Sequence, residues 1–487
     1  MSIWRVKPVS AFEADMKKSE LKRVLGKWSL TAIGIGAIIG GGIFVLTGTG
    51  AYYHAGPALA LSFIIAGIAC VFAALCYSEF ASILPVEGSA YAYAYGTIGE
   101  LFAWIIGWGL ILEYAMGSMT VAVSWSGYFN KLLKMFGMHL PDWLTSDPAS
   151  YTGEGFSMNL PAFCIVILVV SILIKGTQGA AKANNLIVML KVSAVLFVII
   201  AGAFFINTAN WHPFIPDATT IVDSVGKSHE AYGIKGVISG AAAIFFAYVG
   251  FDAVSTQAGE AINPKKDVPF AIITSLLVCT FLYILVSLVL TGMMNFSDFN
   301  PMGKYPEAIK APVAYAFDIA GQAWAGYVVT IAATVGLISV LMVMIMGQSR
   351  IFLGMSKDGL IPPVFSKIHG VSGTPRTNLL ILGTVIAIVA AFTPINKLAD
   401  MTSFGTLFAF TMVCIAVWIL RKKQPELVRP FKVPFLPFIA TCGILINTYL
   451  MVNLSIDAQL LSLGWLVIGI VIYLIYGKRK AKLNNPA

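Results

Sequence analysis

Twelve times along its length this sequence runs for about 20 residues with almost nothing but apolar side chains. The runs lie at 28–50, 57–83, 98–127, 159–175, 185–207, 234–257, 268–293, 324–353, 377–393, 397–420, 433–454 and 461–477. Each is long enough to cross roughly 30 Å of hydrocarbon as a helix. Their length excludes the short alternating strands of a membrane β-barrel. Only 11% of the 487 residues are charged, against about 25% in an ordinary soluble domain, so most of the surface is expected to face lipid. The fold class is an all-α membrane protein with twelve transmembrane helices.

Twelve crossings put both termini on one side, and the basic residues say which. Assigning loops alternately from the N-terminus places 24 of the 32 Lys and Arg on the first side and seven on the other, with Lys191 alone inside a span. Both termini are therefore expected in the cytoplasm, with the chain in the cytoplasmic (plasma) membrane and lipids as its surroundings. The net charge of +9 is mostly a topology signal, and no separate basic domain speaks for nucleic acid. The first run follows 27 residues carrying seven Lys and Arg and is long enough to span, so it is expected to remain as the first helix. Residues 8–27 read as either an amphipathic surface helix or a flexible tail. The longer loops on the outer side are 128–158, 208–233 and 294–323, the last with a short helix starting near Ala311.

The six cysteines fall in the apolar spans without C-x-x-C spacing, which predicts buried free thiols. The five histidines are expected in loops. Neither a metal site nor a nucleophile–base pair is legible, so no cofactor is expected and an enzyme is the least favoured class.

Glycine marks two places in the spans. Gly40, Gly41 and Gly42 stand together near the middle of the first, and each weakens a helix by about 1 kcal/mol relative to Ala. In the sixth, Phe245-Phe246-Ala247-Tyr248-Val249-Gly250-Phe251-Asp252 combines a glycine with an acid at membrane depth. If spans 1–5 and 6–10 are two copies, the odd number inverts the second, and both breaks fall in the leading helix of their copy. Interrupted spans at matching positions of inverted halves point to a midplane substrate site. Close helix packing is the plainer use of an isolated membrane glycine.

An unwound segment exposes backbone groups, tolerated at this depth only around a cavity or ligand. Amides at Gly40, Gly41, Gly42 and Ile43 suit a carboxylate, helped by the positive end of the helix that follows. Carbonyls at Ile38, Phe246, Ala247 and Val249 suit an ammonium group. An α-amino acid carries both. Lys191, roughly two turns into the fifth span, is a candidate proton carrier, with snorkelling to the interface as the alternative. Glu113 in the third span and Asp252 after the second break are candidates for side-chain specificity or the pathway. Glu79, Glu87 and Glu260 sit near cytoplasmic helix ends as either gate salt bridges or solvated ends. Met342, Met344 and Met346 are expected mainly to pack.

The run Gly34 to Phe44, Tyr77 to Ala81 with Pro85 to Tyr93 and Gly99-Glu100-Leu101, Phe245 to Asp252 with Gly259 to Pro264, and Gly347-Gln348-Ser349-Arg350 with Asp358 to Pro362 resemble the amino acid–polyamine–organocation superfamily. Within it the chain is similar to bacterial homologues of the cationic amino acid transporters, the ApcT-like permeases. The resemblance implies a LeuT-type fold with a 5+5 inverted repeat plus two C-terminal helices, and alternating access at a site between helices one and six. It carries substrate contacts to Ile38, Gly41, Gly42, Ile43, Phe246, Ala247 and Val249, and the proton-coupling role to Lys191. The implied organisation is a cytoplasmic segment 1–27, repeats 28–207 and 234–420, two further helices 433–477 and a tail 478–487. The expected activity is proton-coupled symport of small neutral or cationic L-amino acids. An exchanger without proton coupling is the alternative, and a channel or receptor would keep the site without pumping.

Overall fold

The computed structural model describes residues 5–8, 25–83, 89–175, 178–222, 228–258, 261–369 and 374–482. In it the apolar runs become helices: α1 Lys27–Ile38, α2 Leu59–Ile83, α3 Glu100–Met135, α4 Leu160–Lys175, α5 Gln178–Ala203 and α6 Gly233–Ala243. They continue as α7 Pro264–Met293, α8 Ala323–Lys357, α9 Arg376–Phe392, α10 Ile395–Lys423, α11 Leu436–Val452 and α12 Ile456–Ile472. Among the described residues, eight helical stretches are long and apolar enough to cross a membrane, and α4, α9 and α11 are shorter apolar helices beside them. The stretch Lys27–Ile83 covers the first two expected spans. Gly56, at φ +60°, supplies the left-handed residue that interrupts it just before Pro57 and α2.

Several boundaries differ from expectation. The helix α3 continues to Met135, so the start of the 128–158 loop is helical, because Tyr128 and Lys131 are buried and pack against neighbours. Residues 208–233 contain two short antiparallel strands, β1 Thr219–Val222 and β2 Ser228–Ala231. The short helix near Ala311 is Pro312–Ile319, with Pro at its first position where a missing N–H costs nothing. His54 lies in a helical turn, Ala51–Ala55, rather than a loop. All six thiols are free: four are buried, Cys442 is half-buried, and Cys164 is exposed on α4. Most of 8–27, with Glu87 and Glu260, lies outside the described residues.

The centre of the bundle is α3, packed against α8 and α10, while α7 packs against α1 and α2 and α4 against α9. At the periphery α12 is held to α3 by stacked Trp104, Trp108 and Trp465. Trp108 Nε1 donates to the Trp465 carbonyl at 2.8 Å and Trp465 Nε1 to that of Trp108 at 3.0 Å. These indoles satisfy their polar edge while burying a large apolar body.

The two ends of α3 lie about 53 Å apart at 1.5 Å per residue, and each is tied to other elements. At the Glu100 end, Asp358 after α8 accepts from Tyr91 Oη at 2.7 Å and Lys7 Nζ at 3.0 Å. Tyr473 Oη donates to Glu100 at 2.9 Å. On the same side Glu79 is fully buried and accepts from Arg421 and the Val433 amide, with Arg429 at 3.3 Å. At the other end, Lys131 pairs with Asp318 and Lys134 with Glu307. Partial burial raises the Glu307 carboxyl, but hydrogen bonds from Lys134 and Tyr315 outweigh it and hold it below the usual carboxylate range.

Candidate functional site

Two interrupted segments meet inside the bundle. The first break follows Ile38: Ile39 is extended (φ −69°, ψ 102°), and a wide helical turn resumes at Gly42–Leu46. The second follows Ala243, where Ile244–Tyr248 tightens. Val249 is then extended (φ −61°, ψ 132°) and Gly250 takes φ +122°, which an L side chain resists. Helix resumes at Ala253–Thr256.

The glycines let the breaks touch. A Cβ on Gly42 would lie 2.3 Å from Ala247 Cα, and one on Gly250 2.9 Å from the Ala37 carbonyl. A Cβ on Gly41 would meet Ser124 Oγ of α3 at 2.6 Å and Phe246 at 3.7 Å, and one on Gly40 would meet Val340 of α8 at 3.2 Å. Gly40, Gly41, Gly42, Phe246 and Ala247 are thus brought together with α3 and α8.

Carbonyls released by the first break find side-chain donors. Lys191 Nζ on α5 donates to the Gly36 carbonyl and, at 3.1 Å, to that of Ile39. Tyr283 Oη of α7 donates to the Ile38 carbonyl at 2.8 Å, and Tyr128 Oη of α3 to that of Phe44 at 2.8 Å. The Ile38 carbonyl, expected to be open to an ammonium group, therefore already has a donor. The Phe246 carbonyl likewise accepts from the Val249 amide at 3.1 Å. The amides of Gly42 and Ile43 stand at the start of the resumed helix, where the first turn has no intrahelical acceptors.

Lys191 is 1% exposed and does not snorkel: its stem runs against Gly336 of α8, where a Cβ would lie 2.5 Å from Lys191 Cγ. Among the described residues no carboxylate pairs with it. Glu113 and Asp252 form a separate cluster on the far side of the second break. Tyr114 Oη donates to Asp252 Oδ2 at 2.8 Å. Both Glu113 carboxyl oxygens and Asp252 Oδ1 are buried without a hydrogen-bond partner. Met344 is buried and Met342 and Met346 half-buried. A Cβ on Gly117 would meet Thr402, Met344 and Phe246 at 3.5, 3.7 and 3.9 Å, so these residues wall one apolar corner beside the breaks.

Sequence reasoning missed Tyr114, Tyr128, Tyr283 and Ser124. The signal was present for the tyrosines: a phenol inside an apolar span must find an acceptor, and a broken helix is the nearest source of carbonyls.

Helices broken in the interior, with their backbone groups taken up by side chains of surrounding spans, define a membrane transporter. The chain belongs to the amino acid permease family, whose model matches residues 25–476. It is 44% identical over 485 residues to a branched-chain amino acid permease of Bacillus subtilis (strain 168), covering 99% of each chain. It is 41% identical to a methylthioribose transporter of the same organism, covering 99% of this chain and 100% of the other. With cationic amino acid transporter 3, mitochondrial, of Arabidopsis thaliana it shares 37% over 85% of this chain and 64% of the plant protein. These relatives are transporters, and the chain is an integral membrane transporter rather than an enzyme.

Proposed function

We propose that this permease imports L-amino acids together with protons, by alternating access at the paired breaks. The observation that carries the reading is the seat of Lys191, a buried ammonium group held by carbonyls of the first break and matched by no acid among the described residues. In that seat a proton on Lys191 draws the Gly36 and Ile39 carbonyls inward, and its loss frees them. A protonation change is thereby converted into a change at the segment that holds substrate. The substrate carboxylate is bound by the amides of Gly41, Gly42 and Ile43, with Gly40 allowing close approach. The ammonium group lies toward Phe246, Ala247 and Val249, and Ile38 contributes through its side of the break. Branched or small neutral side chains fit the apolar corner of Gly117, Phe246, Met344 and Thr402. That choice agrees with the branched-chain permease among the relatives. Glu113, one turn from Gly117 on α3, and Asp252 provide acidity should a cationic side chain enter.

The same reading takes the helices as twelve crossings, with α1–α5 and α6–α10 as inverted repeats and α11 and α12 added. Packing of α2 on α7, α3 on α8 and α4 on α9 supports this reading, since helices close to a pseudo-twofold meet their own counterparts. The chain then lies in the cytoplasmic membrane, among lipids, with both termini in the cytoplasm. Uptake into proteoliposomes tests the mechanism. An inward proton gradient should drive accumulation of L-isoleucine or L-leucine, and Lys191→Ala should bind substrate yet fail to accumulate it. Concentrative uptake by Lys191→Ala would refute the coupling role.

A further inference from the structure

At the end of α3 away from Glu100, a narrow cleft lies between that helix, the connection after it and the segment leading into the helix Pro312–Ile319. Asn130, Lys131 and Lys134 line it from α3 and Asp142 from the connection. Glu307, Lys310 and Tyr315 form the far wall. Gly127 lets the walls approach, since a Cβ there would lie 2.9 Å from the Lys310 carbonyl oxygen. The cleft holds about 30 Å³, room for about two waters.

Its charges are held in different ways. Lys131 is fixed: it is 8% exposed, pairs with Asp318 and lies 3.6 Å from the centroid of the Tyr315 ring. Lys134 reaches across the cleft to Glu307, and both side chains are 37% exposed, so this pair holds the walls only weakly. Tyr315 Oη donates to the second Glu307 oxygen at 2.8 Å, which keeps that carboxylate in place if Lys134 leaves it. Among the described residues no ion pair engages Lys310 or Asp142. Asn130 Oδ1 is buried without a hydrogen-bond partner. With the Lys131 pair set aside, the cleft offers two ammonium groups, two carboxylates and one spare acceptor.

That balance selects the ligand. A ligand of a single charge that parted Lys134 from Glu307 would satisfy one of them and strand the other. A zwitterion satisfies both, with its carboxylate between Lys134 and Lys310 and its ammonium group between Glu307 and Asp142, where Asn130 Oδ1 is a further acceptor. We propose that this cleft is a second binding site for zwitterionic α-amino acids, entered by exchange with the Lys134–Glu307 pair. The helix Pro312–Ile319 stands between it and the first break: Tyr315 lines the cleft, while Val313 lies beside Ile43 and Phe44 of the resumed turn. Docking therefore also undoes one tie between α3 and the segment that carries this helix.

The site deepens the transport reading and rests on it, and equilibrium binding of radiolabelled L-leucine to the purified full chain separates the two. The unaltered protein should bind two leucines per chain. Lys310→Gln with Asp142→Asn, both exposed positions, should keep the melting temperature and bind one. Isocaproate, which lacks the ammonium group, and isoamylamine, which lacks the carboxylate, should each leave the second leucine in place. In proteoliposomes the double variant should need about tenfold more L-leucine to reach half its maximal uptake rate, the effect of losing a hydrogen bond to a charged group, with the maximal rate kept. One leucine bound with equal affinity by both proteins would overturn the second site and leave the transport reading standing. Displacement of the second leucine by isocaproate alone would overturn the zwitterion assignment and make the cleft a plain anion site. A lowered maximal rate at unchanged half-saturation would show that the two residues serve only the structure. If the unaltered protein neither binds nor transports L-leucine, the transport reading fails together with this one.

Discussion

Gly42 has no room for a methyl group. The nearest atom to a Cβ there is Ala247 Cα, at 2.3 Å, and a backbone atom cannot rotate away as the tip of a side chain can. Gly42→Ala must therefore force the two breaks apart, where forcing extra carbon into a packed interior costs about 1–3 kcal/mol. Gly464 in α12 is the contrasting case, with nothing within 4 Å of its Cβ. Gly464→Ala should be neutral or stabilise by up to about 1 kcal/mol through helix propensity alone. Thermal unfolding in detergent together with L-isoleucine uptake checks the pair: Gly42→Ala is expected to lose uptake almost completely, while Gly464→Ala keeps it. Equal behaviour of the two would mean that contact between the breaks has no role. The triplet at Gly40 to Gly42 was legible in the sequence because three adjacent glycines oppose helix. Which of them faced backbone was not, since that depends on Ala247, some two hundred residues away. Lys191 was legible as the one basic residue inside a span, but its seat on the Gly36 and Ile39 carbonyls depends on how α1 and α5 cross.

Elements in this bundle share one large apolar core, and a few buried polar seats add specific joints between them. The carboxylate of Glu79, at the end of α2, is the clearest: 0% exposed, it receives Arg421, the amide of Val433 and the flank of Arg429. The Arg429 guanidinium also binds carbonyls of Gln424, Pro425 and Leu427, so one acid organises the whole connection from α10 to α11. The sequence left Glu79 balanced between a salt bridge and a solvated end, because a helix-terminal acid looks the same in either role. Its partners come from α10 and the following loop and could not be read from spacing. Removing one member of a buried ion pair leaves the other charge uncompensated and costs about 3–5 kcal/mol. Arg421 remains 22% exposed in its side chain, so water offsets part of that, and the lower end applies. Glu79→Gln should lower the melting temperature in detergent and make the α10–α11 connection a preferred site of limited proteolysis. Glu230→Gln, which touches an exposed pair with Lys235, should change neither, as surface pairs contribute about 0–1 kcal/mol. A melting temperature unchanged by Glu79→Gln would show that the loop is held without it.

At the scale of the whole molecule the charge pattern and the ties at the two ends bear on the same question, which end faces the cytoplasm. The end that carries Glu79, Glu100 and Asp358 also gathers Lys7, Arg421, Arg429 and the helical turn Lys478–Lys480. Among the described residues the opposite end holds fewer basic groups, Lys131 and Lys134 among them. Lys and Arg close to the ends of spans resist translocation during insertion, so the end that gathers more of them should stay inside. The apolar runs themselves were fully legible as helices, because nothing but hydrocarbon accommodates them. Where α3 stops was not, because Lys131 is drawn into the fold by Asp318 and Tyr315 on a distant segment. Orientation follows from reporter insertions. A cysteine placed at Thr145, on the long connection after α3, should react with an impermeant maleimide added to intact cells. One placed at Lys367, between α8 and α9, should react only after the membrane is permeabilised. The reverse pattern would invert the molecule, place the helix Pro312–Ile319 on the cytoplasmic side, and turn the proposed import cycle into export.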